Sequence, residues 1–160
     1  MNDSFIVRVS TPGDYDQMCA LLAEADELHR LHLPWMFQTP SAEPRSEDFF
    51  ERLHSSEQST VLVAESDARV VGVATAVMRT APDFAVFVAQ KWAVLDNIAV
   101  SESWRRLGVG SALIRDAERW AQAQGASWLE LGVYEFNEQA RAFYQSLGYA
   151  PVLTKYRRPL

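Results

Sequence analysis

The sequence predicts a single α/β domain with a mixed, mostly antiparallel sheet and helices flanking it. Three observations carry this expectation. Apolar runs of strand type alternate with segments of helical period along the whole chain. Two of these runs, 60–65 and 70–78, are separated only by Ser66-Asp67-Ala68 and read as an antiparallel hairpin. Further on, a strand, the stretch RRLGVGS and a helix lead into another strand, the pattern of a right-handed crossover between parallel strands.

The elements follow in order. Residues 5–9 form a first apolar strand. Thr11 then stands as N-cap with Pro12 at the first helical position and Asp14 three after the cap. Tyr15, Met18, Cys19 and Leu22 step at helical spacing, so the helix is expected to end near Leu28. Pro34, Pro40 and Pro44 prevent the next stretch from continuing it. The Trp35-Met36-Phe37 run inside that stretch needs a surface to pack on or a pocket to line.

Ser46 caps a short helix with Phe49, Phe50 and Leu53 inward, and the hairpin comes next. Gly72 within its second strand signals a bulge or a close backbone approach. A looser stretch around Pro82 leads into a strand over 92–100, interrupted by the polar pair Asp96-Asn97. From Val109 a helix buries Ala112, Leu113, Ala117, Trp120 and Ala121, and Gly125 closes it. A strand over 128–134 follows. Asn137 then caps a last helix with Ala140, Phe143 and Leu147 inward, and Gly148 ends it. The tail YAPVLTKYRRPL has strand character in its first half.

Composition narrows the function. Hydrophobic residues make up 48% and charged residues 22% of the 160 residues, a globular profile. The net charge of −6 and the lack of a basic block argue against a nucleic-acid partner. Cys19 is the only cysteine, which removes an intrachain disulfide and a cysteine-based zinc site. No run of about 18 apolar residues occurs, so no membrane partner is expected, and a cytoplasmic monomer or homodimer is the default. His29 and His32 are three apart with no further ligand evident, and no metal site is assigned.

RRLGVGS opens a helix after a strand, where free backbone N–H groups and the helix dipole favour a phosphate. Three cofactor classes compete for it. A nucleotide P-loop needs a lysine after the last glycine, and none follows Gly110. A dinucleotide fingerprint needs a third glycine where Leu113 stands, although Glu130 lies at a suitable distance for a ribose.

The third class comes from a resemblance. LDNIAVSESWRRLGVGSALI resembles the central motif of the GNAT superfamily of N-acetyltransferases, with Arg105, Gly108 and Gly110 in the places of its [QR]xxGx[GA] loop. Downstream, NEQARAFYQSLGY is similar to that family's second motif through Asn137, Tyr144, Gly148 and Tyr149. The resemblance implies one N-acetyltransferase domain over residues 1–160, with a central pair of parallel strands that splay apart. It implies acetyl-CoA as cosubstrate, bound by the loop that Arg105 opens, with its pyrophosphate on the amides of Arg106, Leu107, Gly108, Val109, Gly110 and Ser111. It also implies that Ile98, Ala99 and Val100, with Asn137, hold the pantetheine arm.

On the same resemblance, Tyr144 is the general acid towards the coenzyme A sulfur; the alternative is that it only packs on the helix face. Asp96 is the candidate base, against a solvated carboxylate or one paired with an arginine. The acceptor is a primary amine of a small molecule or peptide. Its site is expected at Asp26, Glu27, His29, His32, Trp35 and Phe37, with residues near Pro82 to Phe87, where acidic groups suit a cationic amine. The rival is a non-catalytic acyl-CoA-binding or regulatory module on the same fold.

Overall fold

The computed structural model describes residues 4–41 and 44–159. Its sheet runs in the order β1 (Ile6–Val9), β2 (Ser59–Ser66), β3 (Arg69–Thr80), β4 (Lys91–Val100) and β5 (Leu129–Leu131). All neighbours are antiparallel except β4 and β5, which run parallel at one edge. Helices α1 (Tyr15–His32) and α2 (Glu47–Ser55) cover one face; α3 (Val109–Ala123) and α4 (Glu138–Ser146) cover the other.

Strand β2 shows why this layering follows from the sequence. Val61 and Val63 pack with Met18, Leu22 and Phe50, while Leu62 and Ala64 pack with Leu113, Ile114 and Ala117. Both faces are buried, so the strand reads as a continuous apolar run rather than an alternation. The hairpin turns on Asp67 and Ala68, with φ of 47° and 60°, the left-handed pair that suits the twist of two strands.

Gly72 meets both expectations placed on it. The β2–β3 register shifts next to it, between Ala64 and Glu65. A Cβ on Gly72 would also lie 2.8 Å from Val109 Cγ1 and 3.0 Å from Leu113 Cδ1, so its bare backbone lets α3 approach the sheet.

Four expectations change. Helix α1 continues past Leu28 to His32 and is capped by Leu33, the residue that Pro34 bars from helical geometry. The expected strand over 128–134 shrinks to Leu129–Leu131, because the chain beyond Gly132 turns away towards α1. In α4 the buried side chain is Tyr144, at 9% exposure, while Leu147 ends the helix and is exposed. The tail forms no strand among its described residues: Val152 and Tyr156 are exposed, and three-residue β5 offers little edge to pair with.

An ion cluster ties β1, β2 and the start of α1 together. Arg8 donates to both carboxylate oxygens of Asp14, at 2.7 and 2.8 Å, and its Nε donates to Glu65 at 2.6 Å. The Arg8 guanidinium, aided by the Thr11 amide and hydroxyl, holds Asp14 down at about 2. A depressed carboxyl stabilises the fold above its ordinary pKa and loses that contribution as pH falls through the folded value. Acid unfolding should therefore set in between about pH 4 and pH 2. Asp14→Asn should lower stability at pH 7 by on the order of 2 kcal/mol and flatten this acid limb. Urea midpoints measured across that range check it, and an equally steep limb in the variant would refute it.

Candidate active site

The site begins with a change of phase in β4. The Ala93 N–H donates to Trp128 O, directly before β5, at 2.9 Å, whereas the Ser101 N–H donates to Val71 O on β3, also at 2.9 Å. Residues eight apart on an unbroken strand would face the same neighbour. Between them Thr75 pairs with Asn97 and Ala76 with Leu95, so Asp96 is the extra residue of a β-bulge. Beyond it Asn97 and Ala99 turn their backbone groups to β3, and Ile98 and Val100 turn theirs away from it.

On that other side β4 has no strand partner beyond the bulge. Strand β5 pairs with β4 only through Ala93–Leu129, Val94–Glu130 and Leu95–Leu131, and the two strands part at the bulge. The near end of the parting is held firmly. Trp92 and Trp128 stack with centroids 5.6 Å apart, and their indole N–H groups donate to the two oxygens of Glu130, at 2.9 and 3.3 Å. Glu130 is thus a clasp between strands and is not presented to a ribose, which removes the main support for the dinucleotide reading.

The far end of the parting meets the RRLGVGS loop. Arg106 and Gly108 have positive φ, 66° and 87°, and Gly108 caps α3. Backbone of this kind can turn successive N–H groups towards one ligand. The Arg105 N–H already donates to Glu102 O at 3.2 Å, which removes it from the expected donors, and the next amide to find a backbone partner is that of Ala112, which donates to Gly108 O at 3.0 Å. The amides from Arg106 to Ser111 have no hydrogen-bond partner among the described residues. The Arg105 side chain folds back instead: its Nε donates to Val100 O at 3.1 Å, and its guanidinium lies 3.6 Å from Glu24 of α1. Leu107 is exposed and Val109 is buried, so any ligand contact from Val109 is by backbone. Gly110 sits against Phe143, whose ring would lie 3.2 Å from an added Cβ.

Helix α4 approaches the same parting. Asn137 caps it, its Oδ1 accepting the Ala140 N–H at 3.1 Å, which leaves the side-chain NH2 for a ligand. Tyr144 packs against Phe143 and Tyr149 in the α3-side core. Burial pushes its phenol up to about 12, so it stays protonated at neutral pH. Its hydroxyl makes no hydrogen bond among the described residues. Tyr149 donates to Glu118 at 2.8 Å and is occupied.

Asp96 is not the buried strand carboxylate the sequence implied. The bulge brings it to the exposed surface, yet its neighbours desolvate it enough to raise its pKa above the usual carboxylate range, with Arg79 opposing the shift. Asn97 reaches the α1–α2 face, donating to Thr75 Oγ1 at 2.9 Å and accepting from Arg45 at 3.3 Å.

The expected acceptor residues separate into groups. Asp26 lines an open cleft of about 440 Å³ with Phe37, Arg45 and Phe49. Its carboxylate takes a two-pronged pair from Arg45, at 2.6 and 3.0 Å. His29, His32 and Phe37 gather with Tyr134 and Phe136 in a ring cluster: His29 stacks on Phe37 at 5.2 Å and His32 on Phe136 at 4.3 Å. Tyr134 also donates to Met36 Sδ at 3.1 Å. Glu27 pairs with Arg30 one helical turn on, and Trp35 is exposed beneath the guanidinium of Arg157, 3.1 Å from its centroid. Phe84 and Phe87 lie exposed in the β3–β4 loop. The acidic groups are therefore neutralised in place, which removes the free negative charge expected to attract a cationic amine.

Arg45, Tyr134 and Phe136 were missed from sequence. A lone arginine after a proline carries no pattern, and Tyr134 read as a strand residue. Among the described residues no group of three or more His, Cys, Asp or Glu side chains forms a metal cage. No helix there is long and apolar enough to cross a membrane.

A mixed sheet whose two parallel strands part at one edge, beside the start of a helix that packs on it, defines an α/β protein. The chain belongs to the GNAT family: the model of the Acetyltransferase (GNAT) family matches residues 24–149. It is 36% identical over 122 residues to the acetyl transferase GW6a of Oryza sativa subsp. japonica, covering 70% of this chain. The match spans only 28% of that rice protein. Among solved structures, a mutant of the BH1408 protein of Bacillus halodurans superposes with a TM-score of 0.91 at 25% identity, covering 97% of this chain and 99% of that one. The aminoglycoside N-acetyltransferase AAC(6')-Iy, in complex with CoA, shares the fold with a TM-score of 0.71 at 17% identity, covering 97% of this chain and 100% of that one.

Proposed function

We propose that this protein transfers the acetyl group of acetyl-CoA directly to a primary amine. The observation that carries the reading is the parting of β4 from β5 beside the unpartnered amides of Arg106 to Ser111. A diphosphate satisfies those amides and the positive end of the α3 dipole together. The backbone groups of Ile98 and Val100 face the parting and suit an extended amide-bearing arm, joined by the Asn137 NH2. Ala99 turns its backbone to β3 and contributes packing only.

Acetyl-CoA, when bound, supplies the thioester. The amine nitrogen forms a bond to the acetyl carbon as the carbon–sulfur bond breaks; one amine proton leaves and the sulfur gains one. Asp96 stands at the head of the parting with a raised pKa, which makes it a better base than an ordinary carboxylate. Tyr144 holds its proton on the buried side. With its phenol at about 12, full transfer to a free thiolate of ordinary pKa is uphill by roughly 5 kcal/mol. Its role is therefore a hydrogen bond that strengthens as charge builds on the sulfur.

Thermal melting with acetyl-CoA, CoA and NADH at millimolar concentration tests the ligand class. Acetyl-CoA and CoA should raise Tm and NADH should not. No shift with either CoA species would remove the reading. A shift without thiol release across a broad amine panel would favour the non-catalytic binding module.

A further inference from the structure

We infer that the acceptor is an α-amino acid, recognised as a zwitterion by Asp26 and Arg45. The inference rests on the acetyl-transfer reading above and specifies its substrate class.

The cleft on the α1–α2 face is lined by one carboxylate, one guanidinium and two phenyl rings, those of Phe37 and Phe49. Asp26 and Arg45 are each only partly buried, and they face each other across the two-pronged pair. A polycationic amine would meet a carboxylate already neutralised, with a guanidinium beside it. A phosphate dianion would leave excess negative charge next to Asp26. A zwitterion brings the same two charges in the opposite sense: its carboxylate addresses Arg45 and its ammonium addresses Asp26. Arg45 retains N–H donors beyond those that Asp26 and Asn97 accept, so it can take a carboxylate without first releasing its partners.

Position joins this cleft to the chemistry. Arg45 Nη2 donates to Asn97 Oδ1 at 3.3 Å, and Asn97 follows Asp96 at the bulge where β4 and β5 part. An amine one carbon away from a carboxylate on Arg45 is thus held at the head of the parting, beside the candidate base. Phe37 and Phe49 give the rest of the molecule an apolar wall, which suits an apolar or aromatic side chain.

The test compares amino acids with their carboxamides, at equal concentrations of unprotonated amine, by acetyl-CoA-dependent thiol release. The carboxylate form should show kcat/KM at least tenfold higher, and Arg45→Gln should erase that ratio through KM. Arg45→Lys should restore part of it. Desamino carboxylic acids should inhibit the unaltered protein competitively against the amino acid, which decides the matter even if Arg45→Gln does not fold. Transfer indifferent to the carboxylate, with no such inhibition, overturns this inference and leaves the acetyltransferase reading standing. No transfer to any amine, with no CoA-dependent rise in Tm, overturns both.

Discussion

Tyr144→Phe is expected to lower kcat by about a hundredfold or more while KM for acetyl-CoA changes much less. The ring is 9% exposed and packs against Phe143 and Tyr149, so phenylalanine fills the same space. Its hydroxyl has no hydrogen-bond partner among the described residues, so removing it breaks no observed hydrogen bond of the fold. The loss should fall on the step in which sulfur gains negative charge. With the phenol at about 12, this group should cause no alkaline loss of rate below roughly pH 10. Steady-state kinetics across pH, with melting curves to confirm folding, check both statements. An unchanged kcat throughout would sink the assignment.

Gly72→Val should be the most damaging substitution distant from the reacting groups. Its new Cβ would press on Val109 Cγ1 at 2.8 Å and Leu113 Cδ1 at 3.0 Å, and both residues are at most 1% exposed with no room to retreat. Overpacking of this kind costs about 1–3 kcal/mol. The strain is relieved most directly by lifting the start of α3 off the sheet. Val109 is the first residue of that helix, so the amides before it move as well. Tm should drop by several degrees, and affinity for CoA should fall along with it. Gly132→Ala, whose added Cβ would meet no atom within 4 Å, is the control for stability. Equal melting of the two variants would contradict the packing argument.

The sequence made the hairpin, the caps at Ser46 and Asn137 and the course of α3 legible, because each depends on residues close together in the chain. The loop 105–111 was readable for the same reason. The end of β5 was not: where a strand stops pairing is set by its neighbour, and only the ring contacts of Tyr134 with His29 and Phe37 show why the chain leaves the sheet. The burial of Tyr144 in place of Leu147 was hidden too: the two share a face, but Leu147 falls at the C-cap, where the helix ends, and local spacing does not show how far along that face the core reaches. Arg45 could not be found at all from local pattern. It joins Asp26, 19 residues away, and Asn97, 52 residues away.

Asp96 has a consequence that extends beyond its own carboxylate. Before it, Ala93 and Leu95 carry the side chains that enter the α3-side core; after it, Ile98 and Val100 do so. One additional residue thus changes the strand from odd to even numbering while its hydrophobic surface stays on the same side. Along that same edge the backbone passes from pairing with β5 to having no strand partner. Excising Asp96 would do more than remove a charge: Ile98 and Val100 would fall two and four places after Leu95, still towards the α3-side core, but on a straight strand without the bend that takes β4 out of pairing with β5. Shape, as much as chemistry, is what this position supplies.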